Sequence, residues 1–584
     1  MKSHLTGVPQ PRTVAIAMVL AFATTMLWFT LQGYLLLDDY ELQALAYQAS
    51  WLDPSYLTQP WGGHFMPAGF ALAQLLAKTV PFNYLPMAVC ITAGMTLFAA
   101  ASARLFLFLL GNRWAALLPL GIVLVSGAIW DATTWWIASL NAVPLLVAIP
   151  AATFWHLRWL RDDAFRDALL AWGTVMLAAL FFEKALGLVA FLGLLSLALR
   201  GRWGAGRRRA KSAVLIALYA VTVTACAVGY LASSTGNVAQ VPDASVIASF
   251  LRVGLLAFPS FLLGGPWEWS FPGLASTPLL LAVLSLNIVL LVALWQSVRS
   301  RRAALLWLGM LAYLVVLVVV VASGRSVWGV QVIAQPRYFS EAVVYAVIVG
   351  TVSWAYLVPP SGSTALPERW RRGASILTAV IAVQLMVIAL ATTLPTLSRT
   401  LLANPSRTYV VGAIDALESD SGEVLNGMVP GDVVWPLVAP RNQLRFVFSP
   451  LFDSERFPDS SDSLRVLNAF GFIRPGEVVD DLAEIPSEPC PWILRDAGTT
   501  IDLPGAVPDY WHTLRFSYLA EAPTVLNVRL NSGPAVSVDI ASGLNEAYAF
   551  LEGGGQELTF TRVDDGVGVC LSDIEVGFTT ERIP

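Results

Sequence analysis

The chain has 584 residues, 56% of them hydrophobic and only 13% charged, with a mean hydropathy of +0.64 and 21 tryptophans. That balance excludes an ordinary soluble globule or a disordered chain and indicates a polytopic membrane protein. The formal net charge of −4 hides a division: residues 396–584 hold 27 acidic side chains against 12 arginines and no lysine, whereas basic residues outnumber acidic ones in residues 1–395.

A bilayer-crossing helix needs about 20 apolar residues. Such runs fall near 13–37, 84–110, 114–130, 139–157, 168–182, 184–199, 212–232, 276–297, 303–322, 338–357 and 374–394. Eleven spans are therefore expected, with the short pair 168–182 and 184–199 readable as a broken or re-entrant hairpin. Basic loops stay cytoplasmic, and Lys2, Arg12, Arg113, Arg158–Arg166, Arg200–Lys211, Arg299–Arg302 and Arg369–Arg372 all fall on one side of such a count. The expected setting is the cytoplasmic (inner) membrane, crossed many times, with the N-terminus inside and the C-terminal domain outside. The run Arg200–Lys211 reads as a topology determinant, and no nucleic-acid partner is expected.

Three domains are expected: 1–395 as the multi-span part, 396–485 as a mixed α/β connecting region, and 486–584 as a β-rich domain. In the last, Thr513–Leu519, Thr524–Leu530, Ala535–Ile540, Glu557–Val563 and Gly568–Phe578 alternate as strands do, with turns at Asn531–Pro534 and Gly553–Gly555. A β-sandwich or jelly roll would close them. Cys90 and Cys226 lie within spans as small apolar packers. Cys490 and Cys570 lie in the tail, where an oxidising compartment permits a disulfide.

Chemistry has few candidates. No phosphate-binding glycine loop is present, and no His or Cys pair has metal-ligand spacing. Asp38-Asp39 in Tyr34-Leu-Leu-Leu-Asp-Asp-Tyr-Glu41 follows the first span directly, so three of the thirteen acids of residues 1–395 stand within four positions. One aimed carboxylate with a second to orient it suits a general base, and a negatively charged helix start is the structural alternative. Glu183-Lys184 interrupts an apolar run and holds one of only four lysines; Lys184 suits a phosphate contact, or else ends a turn as a surface ion pair. His64, framed by Gly62, Gly63 and Pro67, either donates to a phosphate or hydroxyl or caps the next helix. Arg337-Tyr338 opens a span, where Arg grips a phosphate with two prongs or snorkels beside an aromatic. Trp135-Trp136 and Trp267-Glu-Trp269 read as interfacial anchors.

This order of an inside N-terminus, an acidic pair after the first span, many spans and an acidic outside tail resembles the GT-C superfamily of membrane glycosyltransferases. Within it the resemblance is to bacterial mannosyl- or arabinofuranosyltransferase-like members. The resemblance implies inverting transfer of a sugar from a polyprenyl-phosphate-linked donor to a cell-envelope glycan or glycolipid acceptor, within the membrane lipid. It makes Asp38 or Asp39 the base and Lys184 and Arg337 the phosphate ligands, with Glu41, His64, Glu183 and Tyr338 beside the substrate. It also makes the tail similar to a carbohydrate-binding module, with Tyr510-Trp511 as a sugar platform. No cofactor is required on this reading, although carboxylates with a phosphate would accept a divalent ion such as Mg or Mn. The rival from another class is a non-enzymatic transporter or flippase of lipid-linked sugars, or an envelope-assembly scaffold; the absence of paired repeats with mid-span acids disfavours transport.

Overall fold

The computed structural model describes residues 10–199, 209–233, 242–270, 274–358, 368–485, 490–494, 498–531, 533–563 and 566–582. Residues 200–208 of the basic run, and Ser532 in the turn before Pro534, lie outside the described residues. The chain divides into two compact units. The first comprises Met1–Tyr34, Ser50–Leu76 and Asn83–Ala403; the second comprises Leu35–Ala49, Ala77–Phe82 and Asn404–Pro584.

In the first unit, eight helices among the described residues are long and apolar enough to cross a membrane: Pro11–Thr30, Leu85–Leu110, Trp136–Asp162, Lys211–Leu231, Ala244–Leu262, Leu279–Arg299, Arg301–Trp328 and Pro336–Leu357. Shorter apolar helices at Trp114–Val125 and Val383–Arg399 accompany them, as do Phe165–Ala179 and Leu186–Leu199 joined by a single turn at Glu183–Ala185. The first span stops at Thr30, not Leu37. Just past the helix end, a Cβ at Gly33 would sit 2.8 Å from the Tyr84 hydroxyl. Helix Ala244–Leu262 was not expected, because Arg252 and Pro259 dilute its apolar run. With this added helix, crossing parity no longer follows from a count of eleven.

The β-strands are β1 (Glu268–Ser270) and β2 (Leu274–Ser276), a hairpin in the first unit, and then nine in the second. These are β3 (Ser460–Ser461), β4 (Arg465–Leu467), β5 (Ile473–Ile485), β6 (Trp492–Leu494), β7 (Thr499–Ala520), β8 (Thr524–Leu530), β9 (Val536–Ile540), β10 (Gly543–Arg562) and β11 (Val569–Glu581). They form one continuous antiparallel sheet in the order β4-β5-β11-β7-β10-β8-β9, with β3 added to β10 and β6 to β11. Alternation sets the inner face: Thr524, Leu526, Val528 and Leu530 of β8 are buried while Arg529 is exposed. These pack with Leu514, Phe516, Leu558, Phe560 and Val576 into one apolar core.

Gly553–Gly555 is not a turn between strands but an interruption inside β10, where the register with β7 shifts twice. A Cβ on Gly554 would meet the Asp509 nitrogen at 2.5 Å, so the glycines let two long strands bend together over the core. Cys490 and Cys570 are joined by a disulfide that ties the approach to β6 onto β11. The stretch 404–485 contributes helix Pro405–Ser419 and the short helix Leu444–Val447, but its last strand, β5, belongs to the same sheet as the tail.

Candidate functional site

In the first unit, a chain of contacts joins the basic candidates at the ends of spans. Trp61 and His64 bond to each other through their backbones in both directions, at 3.2 and 2.8 Å. The intervening Gly62 and Gly63 both have positive φ, +55° and +84°. Only glycine enters that two-residue turn without strain, and the turn presents the His64 ring. Its Nδ1 lies 2.8 Å from Glu183 Oε1, while Phe65 N donates to Glu183 Oε2 at 3.2 Å. A carboxylate only accepts, so Nδ1 carries a proton here.

Glu183 therefore does not pair with its neighbour. Lys184 instead donates to Glu341 Oε1 at 3.0 Å, with side-chain exposures of 19% and 3%. Glu341 also accepts from the Tyr313 hydroxyl at 3.1 Å and the Ser340 hydroxyl at 3.3 Å. Phe182 separates the two ion pairs, with the His64 ring on it edge-on at 5.2 Å and the Lys184 ammonium over it at 5.2 Å. The expected mutual turn of Glu183 and Lys184 is thus replaced by two pairs reaching elements distant in sequence. Lys184 has its charge compensated and is not an unengaged phosphate ligand.

Arg337 sits four residues before Glu341. Its backbone N–H donates to Asp131 Oδ2 at 3.1 Å, which fixes the short turn Pro336–Phe339 that opens the span. The guanidinium lies over Trp135 at 5.1 Å and Tyr338 at 5.7 Å. Within the described residues no carboxylate is within ion-pair distance of the guanidinium, although its charge acts on the buried Asp131 carboxylate. Trp135 is therefore a shelf for a cation as well as an interfacial residue. Asp131 and Glu341 are contacts to which the sequence alone assigns no role, whereas Trp135 was expected only as an interfacial anchor. Their signal was present, since Asp131 and Glu341 are two of very few acids at span ends.

In the second unit, Asp38 and Asp39 begin the helix Asp38–Gln48, preceded by Leu37 with φ +45°. Asp39 is buried, and its Oδ2 accepts from Leu36 N at 3.0 Å; Asp38 is half-buried. Both carboxylates, with Glu41, lie in the first turn, where the helix dipole favours negative charge. Glu41 accepts from Arg441 Nη1 at 2.6 Å. The Tyr40 hydroxyl lies 3.2 Å from Leu35 O and 3.0 Å from Ser406 Oγ. Asn404 and Ser406 also donate to Leu35 O, at 3.0 and 2.9 Å, so residues 404–406 clamp the segment that leads into the carboxylates. Phe448 stacks between Phe82 and Phe457, at 5.9 and 6.2 Å, below this helix.

Tyr510 and Trp511 are neighbours on β7 with rings at 85° and centroids 5.5 Å apart. The two rings of the expected sugar platform therefore meet edge to face rather than lying coplanar. Tyr510 instead shares a face with His512, whose Nε2–H donates to Pro508 O at 2.8 Å.

No family model and no curated protein matches the chain. Among solved structures, the chain is similar to ArnT from Cupriavidus metallidurans bound to undecaprenyl phosphate, at 13% identity and a TM-score of 0.42 over 72% of this chain and 84% of that one. It is also similar to the arabinosyltransferase EmbB from Mycobacterium smegmatis, at 13% identity and a TM-score of 0.34 over 99% of this chain and 66% of that one.

Proposed function

We propose that the protein is a GT-C-type membrane glycosyltransferase that moves a sugar, with inversion, from a polyprenyl-phosphate-linked donor to a cell-envelope glycan or glycolipid. The reaction takes place at the outer face of the cytoplasmic membrane. The observation that carries this reading is Arg337: a guanidinium at the start of a span, held on Trp135, positioned through its backbone by Asp131 and without an ion pair among the described residues. A planar fork of this kind suits a lipid-linked phosphate where the chain enters the bilayer.

In the reaction, the acceptor hydroxyl attacks the anomeric carbon and gives its proton to Asp38 or Asp39. The bond from that carbon to the phosphate oxygen breaks, and polyprenyl phosphate leaves as an anion. His64 and Glu183, with Lys184 and Glu341, hold the surrounding turns. Tyr338 supplies the second aromatic contact to Arg337. The reading requires no cofactor, and parallel assays with EDTA, Mg and Mn test that point.

The decisive experiment incubates purified protein in nanodiscs with a panel of polyprenyl-phosphate sugars and an envelope glycan extract. Released polyprenyl phosphate, absent in Arg337→Ala, is the expected result. Movement of intact donor across vesicle bilayers with no release would instead establish a transporter.

A further inference from the structure

The second unit holds a cleft that none of the residues named so far fills. It lies between the C-terminal end of helix Asp38–Gln48 and the segment 440–454, and has a volume of about 390 Å³. That falls within the roughly 300–1,000 Å³ of small-molecule sites. Gln48 and Ser449, hydrogen-bonded at 3.1 Å, form one wall. Phe446 and Phe452 contribute half-exposed rings.

The polar groups are neutral or compensated. Gln443 Oε1 already accepts from Asn426, which directs the amide's two N–H donors elsewhere. Arg445 is paired with Asp459, and its Nε–H has no acceptor among the described residues. Asp453 adds a negative charge to the lining. A phosphate or sugar phosphate would thus meet no uncompensated cation. A neutral polyhydroxylated ligand would meet amide and hydroxyl partners for its OH groups and aromatic faces for its C–H surface.

We propose that this cleft binds neutral sugar residues of an acceptor glycan, a role that rests on the glycosyltransferase reading above. Gln48 stands ten residues after Asp38 on the same helix, so at 1.5 Å per residue the cleft lies about 15 Å along the axis from the carboxylates. That separation gives the helix two jobs: carboxylates at its start, and a wall of the glycan cleft at its end.

The test uses full-length protein in nanodiscs, probed by saturation-transfer NMR with mannotriose, maltotriose and, as an anionic control, glucose 1-phosphate. Wild type should bind at least one trisaccharide and prefer it to glucose 1-phosphate. Ser449→Trp, which fills the cleft, should weaken that binding at least 10-fold, and the milder Gln48→Ala about 3- to 10-fold, as expected for loss of a neutral hydrogen bond. Absence of trisaccharide binding in wild type, unchanged binding in both variants, or preference for glucose 1-phosphate would each overturn the proposal. Polyprenyl phosphate release from donor, run alongside, separates the two readings. Release without cleft-dependent saccharide binding removes only the cleft, whereas cleft binding without release removes only the enzyme.

Discussion

Lys184 donates to Glu341 at 3.0 Å, across 157 residues of chain, although Glu183 is its immediate neighbour. Glu341 is almost wholly buried, so removing the ammonium leaves an uncompensated carboxylate inside the first unit. Breaking such a pair costs about 3–5 kcal/mol. Lys184→Gln is therefore expected to lower thermal stability in nanodiscs, and Lys184→Gln/Glu341→Gln to recover most of the loss. Equal stabilities for the single variant and wild type would show that the pair contributes nothing.

Arg337 is expected to behave differently, because among the described residues no carboxylate is within ion-pair distance of its guanidinium and its charge acts on Asp131 without direct contact. A hydrogen bond to a charged group contributes roughly 1.5–3 kcal/mol, so Arg337→Ala should weaken polyprenyl phosphate binding about 10- to 100-fold. Arg337→Lys should restore only part, since a compact ammonium cannot make two parallel bonds. Titration of the lipid into nanodisc-embedded protein measures both.

Asp38 and Asp39 can be told apart by what else they do. Asp39 is buried and bonded to Leu36 N, so Asp39→Asn should lower both activity and stability. Asp38→Asn should, if Asp38 is the base, reduce turnover by roughly 10²–10⁴. Near-normal turnover in both variants would falsify a carboxylate base in this helix.

The tail should lose stability in acid in two stages. Burial holds the His512 imidazole below its ordinary value, so the unfolded chain takes up a proton that the folded domain refuses. Stability therefore falls as pH drops below about 6.5. Arg515 bonds Glu546 at 2.6 Å and holds its carboxyl below the usual carboxylate range. That contribution is present above about pH 4.3 and is lost as pH falls through the lower folded value. Glu546 is partly exposed, which makes the second stage the weaker. His512→Gln should remove the first stage alone in pH-dependent thermal melts.

Reduction of the bond between Cys490 and Cys570, 80 residues apart, should destabilise the β domain by roughly 2–4 kcal/mol. Non-reducing peptide mapping checks the linkage, and melts with and without reductant check the magnitude.

Much of the architecture was legible because it depends on local pattern. Apolar runs gave most of the spans, and period-two alternation located β8 and β9 within a residue or so. The cysteine pair was legible because Cys490 and Cys570 are the two cysteines outside the apolar runs. What stayed hidden depends on contacts distant in sequence. Nothing near Lys184 announces Glu341, and nothing near Glu41 announces Arg441. Leu35–Leu37 reads as membrane-spanning because its hydropathy is high, yet it is fixed by Asn404 and Ser406. The dipeptide Tyr510-Trp511 does not announce the angle between its rings, which meet edge to face at 85° on β7.

The second unit is assembled from three separate stretches of chain, and this imposes an order on its making. The helix bearing Asp38 and Asp39 leaves the ribosome long before Asn404, Ser406, Arg441 and Phe448 exist to receive it, so it must wait through the synthesis of nearly every span. A secreted fragment beginning at residue 404 would be born without Tyr40, Glu41 and Phe82. It would leave Arg441 without its carboxylate and the Phe448 ring uncovered on one side. Such a fragment should aggregate when expressed alone and become soluble when residues 35–49 and 77–82 are fused to it through linkers. The segment that looks like a detachable soluble domain is, in its folding, a late partner of the chain's first loop.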